Sequence, residues 1–243
     1  MKKSFLLAAL VLGLLPSLFA QDSKLTADEI IDNYIEVIGG EDAWREVKTV
    51  QMEGKMSMFG RDIPATITSG DPNKFRIEMD IQGQKVIQSY DGETPWQIMP
   101  MMGITTPTKM SEAEASTVTQ TEILPEFIDY ANRGYSVEMV DPKEVEGVPT
   151  QGIKITDGKK KTMVYYFDTE NFVPIMMSMT ITEGQAKGSV INSYLSDYEE
   201  IDGKMVATST EVKMDGQTFQ KLTVEKVTFG IELEEGFFSM PKK

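Results

Sequence analysis

The stretch Lys74-Phe75-Arg76-Ile77-Glu78-Met79-Asp80-Ile81-Gln82, KFRIEMDIQ, alternates apolar with charged or amide residues without a break. Successive side chains of a strand point to opposite faces, so Phe75, Ile77, Met79 and Ile81 form a buried face and the others meet water. Upstream, Val50, Met52, Met56 and Met58 keep the same period. Ile63, Ala65 and Ile67 keep it more weakly, with Pro64 marking an edge or a bulge. Downstream, strands are predicted over 85–90, 96–99, 135–140, 152–156, 162–167, 172–181, 189–198, 205–214 and 218–229. Asp91-Gly92, Asp157-Gly158, Asp202-Gly203 and Asp215-Gly216 punctuate them. Asp-Gly accommodates the positive φ that tight hairpins need.

Helical signals are few. Thr26 and Glu29 have capping-box spacing, and Ile30, Tyr34, Val37 and Ile38 then recur as one helix face before Gly39-Gly40. A short turn carries Trp44 and Val47. Ser111 and Glu114 form a second capping box, and Ile123, Leu124, Phe127 and Ile128 give an apolar face that Pro125 breaks into two short helices. The predicted fold is mainly β: one highly curved antiparallel sheet of about ten or eleven strands, an unclosed barrel with helices forming a lid over its concave face.

Composition narrows the function. Lys2 and Lys3, the apolar run Phe5 to Leu15, Pro16 and the small Ala20 read as an export signal cleaved near residue 20. The expected organisation is residues 1–20 as signal and 21–243 as one domain. With no cysteine, neither disulfides nor a lipid anchor at the cleavage point can form. With no histidine, there is no imidazole for a zinc site, a serine triad or a proton shuttle. The net charge of −14 becomes −16 once Lys2 and Lys3 leave, a surface that repels DNA, RNA and anionic lipid headgroups. No cofactor, metal or catalytic residue is expected. The acidic clusters Glu199-Glu200 and Glu232-Glu234-Glu235 lack calcium-loop spacing and read as solvated surface, as does the lysine run 159–161.

Methionine is the compositional anomaly. Of 17 methionines only Met1 precedes residue 21, whereas the leucines beyond that point are Leu25, Leu124, Leu195, Leu222 and Leu233. Methionine is flexible and polarizable, and suits surfaces that accept varied apolar partners. Its positions on the strand faces fit a ligand-lining role and ordinary core equally.

The residues Asp71 to Met79, DPNKFRIEM, then Tyr90 to Trp96, YDGETPW, with Pro100, resemble the LolA-like family of periplasmic carriers of outer-membrane lipoproteins. The family pattern Pro-Asn-x-Phe falls on Pro72, Asn73 and Phe75. The later YYFDTENFVPIMM (165–177), DYEEIDGKMV (197–206) and GFFSMP (236–241) extend the likeness over nearly all of the chain beyond residue 20. The resemblance implies an unclosed barrel whose cavity takes acyl chains, in a monomer that receives and delivers them between membrane-bound donor and acceptor in the periplasm. It also implies a lid latch at an arginine before the Pro-Asn pair, where this chain has Asp71.

The expected lining is Val50, Met52, Met56, Met58, Ile67, Phe75, Ile77, Met79, Ile81, Trp96, Ile98, Ile175, Met177 and Met179. The expected lid is Ile30, Tyr34, Val37, Leu124, Phe127 and Ile128. Trp96 also suits a core or rim anchor. Met99, Met101 and Met102 are placed at a strand end near the opening, and Met176, out of phase, faces solvent. A sensor or accessory binding module on the same fold, a filled structural interior and a carboxylate-based hydrolase remain as alternatives.

Overall fold

The computed structural model describes residues 25–58, 60–115, 118–119, 122–158, 160–182 and 186–242; the expected signal segment lies outside them. Thirteen strands form one antiparallel sheet: β1 (Thr49–Met58), β2 (Arg61–Gly70), β3 (Lys74–Ile81), β4 (Gln84–Tyr90), β5 (Pro95–Met99), β6 (Ile104–Lys109), β7 (Ser136–Val145), β8 (Val148–Thr156), β9 (Thr162–Asp168), β10 (Val173–Thr180), β11 (Val190–Ile201), β12 (Lys204–Met214) and β13 (Gln217–Phe229). The helices are α1 (Ala27–Val37), α2 (Glu41–Arg45) and α3 (Glu112–Ala115), with a 3-10 turn at Pro100–Met102.

The strand order is β6-β5-β4-β3-β2-β1-β13-β12-β11-β10-β9-β8-β7. Two meanders are therefore joined at one seam, β1 against β13, and the free edges β6 and β7 do not pair. The barrel stays open between them, and residues 110–135 connect one edge to the other. Two strands exceed expectation. β6 (ITTPTK) escapes a period-two search because Pro107 and its threonines give no apolar face. The β7–β8 hairpin runs on through Asp141–Gln151, where Pro142 and Pro149 hide the strands. In the other direction, residues 122–134 form turns rather than the second expected helix.

Local chemistry sets the turns. Gln82-Gly83, Glu146-Gly147, Asp202-Gly203 and Asp215-Gly216 all have positive φ at both positions, the signature of type I′ hairpins. Asp91-Gly92 works differently: the Asp91 carboxylate accepts from the amides of Glu93 and Thr94 at 3.0 and 2.7 Å. At the start of α1 the capping box forms as read, with Thr26 Oγ1 accepting from the Glu29 amide and the Thr26 amide donating to the Glu29 carboxylate.

At the seam the register shifts between Glu53 and Gly54, where Glu225 is the extra residue, a bulge that bends β13. Gly54 lies so close to β13 that a Cβ there would overlap the Thr223 carbonyl oxygen. Gly54→Ala should therefore cost about 2–3 kcal/mol, as overpacking against backbone does, and lower the urea midpoint without changing the slope of the transition. An unchanged midpoint would show that the seam tolerates the methyl group.

Candidate functional site

The register identifies the concave face. Met52 pairs with Ile67 and Ile67 with Ile77, while Ala65 pairs with Met79, so these residues share one side of β1, β2 and β3. Across the seam the same face runs through Met56, Leu222, Thr210 and Leu195, then Ser193 and Met177. The helices pack on this face at one end. A meander sends alternate turns to opposite ends of the sheet. The turns after Gly70, Tyr90, Val145, Asp168 and Ile201 lie at what is here called the lid end. Those after Met58, Ile81, Met99, Thr156, Thr180 and Met214 lie at the open end.

Two large clusters pack the lid on this face, the second reaching the open end of β8 and β9 at Ile155 and Met163, and a smaller one sets Met110, Ala115 and Val118 against Phe75 and Tyr90. Ile38, Trp44, Val47, Val50, Ile128 and Val206 form one, with Tyr34, Leu124 and Met52 against it. Ile30, Ile31, Phe127, Ile153, Ile155, Tyr165 and Phe167 form the other, with Tyr34 and Met177 against it. Edge-to-face contacts of Phe127 with Tyr34, Tyr165 and Phe167, at centroid distances of 5.8, 4.9 and 5.5 Å, lock the lid to the sheet. Five of the six expected lid residues are in these clusters. Val37 is half-buried outside them, while Ile31, Ile35, Ile38 and Trp44 carry contacts that were not foreseen as lid.

The lid is tied mainly to itself. Arg133 donates to the carbonyls of Pro125, Glu126 and Ile128, each at 3.2 Å, and pairs with Glu122. Arg45 of α2 reaches Asp129 at 2.7 Å, and the Tyr130 hydroxyl donates to Asp28 of α1 at 2.8 Å. Asp71 pairs instead with the exposed Lys48 at 2.9 Å. The guanidinium contacts that gather the lid come from within it.

Met56, Ala65 and Ile77 make a third cluster, with Met58, Ile67, Phe75 and Met79 against it, and no helix residue joins it. Met56 and Ile77 are nonetheless each only 7% exposed. The sheet's curvature supplies this shielding, because an uncovered flat sheet would leave such side chains in water. The result is an apolar, methionine-rich strip of the concave face that no helix residue of these clusters covers, here called the trough. Ile81 and Met179 extend the same face, and Leu222, Val212 and Ile191, which alternate as clearly as the chosen residues, continue it on β11 to β13. Among the expected lining, Val50 lies beneath the lid and Ile175 sits in a bulge of β10, unpaired with β9.

Trp96 and Ile98 require correction. Phe75 pairs with Tyr90 and Tyr90 with Pro95, which puts Trp96 and Ile98 on the convex face. Trp96 is 1% exposed there because the C-terminal residues cross over it. Its indole N–H and the Ser89 hydroxyl both donate to the Phe238 carbonyl at 2.8 Å. Arg76 stacks against both Trp96 and Phe237 and donates to the Phe237 carbonyl at 2.8 Å. Met176 is corrected too. It is out of phase, as read, yet 1% exposed, flanked on the convex face by Tyr166 and Tyr194, whose rings Lys143 and Lys213 cap.

No protein-family model matches the chain, and no curated protein matches it by sequence. Its fold does have solved counterparts. A LolA superfamily protein from Nitrosomonas europaea superposes with a TM-score of 0.57 at 11% identity, over 89% of this chain and 98% of the other. A putative outer membrane lipoprotein-sorting protein domain from Vibrio parahaemolyticus gives 0.56 at 11% identity, over 87% and 95%. A DUF1329 family protein from Desulfovibrio piger gives 0.54 at 14% identity, over 89% and 98%. At these identities the likeness is one of fold. The chain has the unclosed-barrel fold of LolA-like proteins, as its motifs suggested. No described helix is long and apolar enough to cross a membrane.

Two predictions follow from side chains around the trough. Trp96→Phe should cost about 1–3 kcal/mol in urea denaturation by removing a buried hydrogen bond, and leave acyl-probe affinity within about twofold, since the ring is on the other face. A large loss of affinity in a folded variant would reverse the face assignment. In the lid, burial pushes the Glu126 carboxyl above the ordinary carboxylate range, with Lys161 and Arg133 partly offsetting it. Its Oε2 has no hydrogen-bond partner among the described residues. The unfolded chain then ionises more readily than the folded one, so stability falls as pH rises from the unfolded pKa through the raised folded value. Glu126→Gln should raise Tm by a few degrees at neutral pH, with the gain vanishing in acid below the ordinary carboxylate pKa. A gain that is constant with pH would exclude this cause.

Proposed function

We propose that the protein is an exported carrier that holds acyl chains of lipidated proteins, or of lipids, in the trough, and that it is a binding protein rather than an enzyme. The observation that carries this reading is the third cluster. A sheet face with Met56, Met58 and Met79, continued by Met179, lies outside the clusters that the lid helices cover. An acyl chain gains about 0.8 kcal/mol per buried methylene, so a chain of about fifteen carries on the order of 12 kcal/mol. No such chain crosses water rapidly unless something encloses it. A lining that recovered all of this energy would also hold its cargo too long. Flexible thioether side chains give an adaptable and imperfect fit, which allows release.

The lipoprotein-sorting description of the Vibrio parahaemolyticus domain is consistent with this reading through shared fold. The sequence's amino-terminal basic and apolar residues support export to the periplasm, with one domain after residue 20. The lid fits a cover that shifts as cargo enters, with membrane-bound donor and acceptor as the proteins that load and unload it.

The test is titration of the purified protein with a fluorescent acyl-chain probe, followed by displacement with a lipopeptide. Saturable, displaceable binding is expected. Met79→Glu should weaken it by tenfold or more, because a carboxylate in the trough must be desolvated against the chain. A folded wild-type protein that does not bind the probe would mean a filled, purely structural interior.

A further inference from the structure

The two ends of the sheet differ in charge. The lid-end turns carry Asp71, Asp91, Glu93, Glu146, Glu170 and Asp202, with no basic residue. The described residues of the open-end turns carry Asp157 and Asp215 against Lys160, Lys161 and Lys187. In a chain of net charge −14, the described residues of these turns are thus nearly neutral. At that end the 3-10 turn between β5 and β6 lifts two methionines into water: Met101 is 60% exposed and Met102 68% exposed. Gly103 closes the turn in the left-handed region, its amide bonded to the Pro100 carbonyl at 2.9 Å, so the two side chains are presented on a fixed tip. Phe219, 47% exposed near the open-end start of β13, is a third apolar group at this end.

We infer that the open end docks reversibly on a lipid bilayer, with Met101 and Met102 entering the headgroup region and the trough mouth facing the membrane. Charge selects the orientation. An anionic leaflet repels the acidic lid-end turns and attracts Lys160 and Lys187 within a Debye length. Exposed unbranched apolar side chains beside these lysines match the interfacial zone of a bilayer, where an apolar tip is buried and ammonium groups meet phosphates. A protein partner would need a contiguous patch, whereas Met101–Met102 and Phe219 stand six strands apart in the sheet. A planar lipid surface can meet separated points on one rim. This inference rests on the carrier reading only for its purpose: docking brings the trough to the layer that supplies or receives the chain.

Flotation with vesicles of phosphatidylethanolamine containing a minority of phosphatidylglycerol tests it, using the full chain without its first 20 residues. Wild-type protein should float with the vesicles, and the double variant M101D/M102D should lose about tenfold or more of that partition while binding the acyl probe within about twofold of wild type. Lys160→Glu with Lys187→Glu should lose roughly fivefold or more on these vesicles and little on vesicles lacking phosphatidylglycerol. Probe binding without flotation, or flotation unchanged in M101D/M102D, overturns the docking inference and leaves the carrier reading standing. Flotation without probe binding removes the carrier reading and keeps the docking surface.

Discussion

A curved sheet of thirteen strands has more apolar face than three short helices can cover. Everything else in the molecule follows from that mismatch. The available cover is gathered over part of the concave face, where aromatic edge contacts and the Arg133 carbonyl bonds hold it together. The rest of the concave face is shielded only by curvature. Half-burial of many methionines is therefore a consequence of topology, and the trough is the part of the sheet that the helices leave uncovered.

The convex face solves the complementary problem with small devices. The C-terminal strap covers Trp96 and Ser89 by giving up one backbone carbonyl to two donors, while Arg76 bridges two aromatic rings. Farther round, Tyr166 and Tyr194 shelter Met176 beneath two lysine caps. Such contacts join residues distant in sequence, and each buries an apolar side chain on a face that is otherwise polar.

This explains what the sequence disclosed. Alternation marked the concave residues of β1 and β3 because one face is apolar and the other charged along their length. Two of the four Asp-Gly pairs form type I′ turns, and the other two turn by other means. Trp96 and Met176 were misplaced because what buries them is a tail or a hairpin that no local period encodes. β6 and the outer part of the β7–β8 hairpin stayed hidden because edge strands rich in proline and threonine lack an apolar phase. The lid region 122–134 carries a helix-like apolar spacing, yet Pro125 and the Arg133 bonds fold it as turns. The resemblance to LolA-like proteins anticipated the fold, but not which arginines gather the lid.

The seam between β1 and β13 has one more implication. Lys226 and Glu53, which pair across it at 2.9 Å, are 173 residues apart in the chain. A ribosome delivers β1 to β6 long before their closing neighbour exists, so the first meander waits with an unpaired β1 edge. Assembly of the curved sheet is thus a post-translational event of high contact order, and slow by the usual relation between topology and rate. A chain of this topology cannot complete its fold until its last strand is made, and until then half of its sheet has one edge without a neighbour.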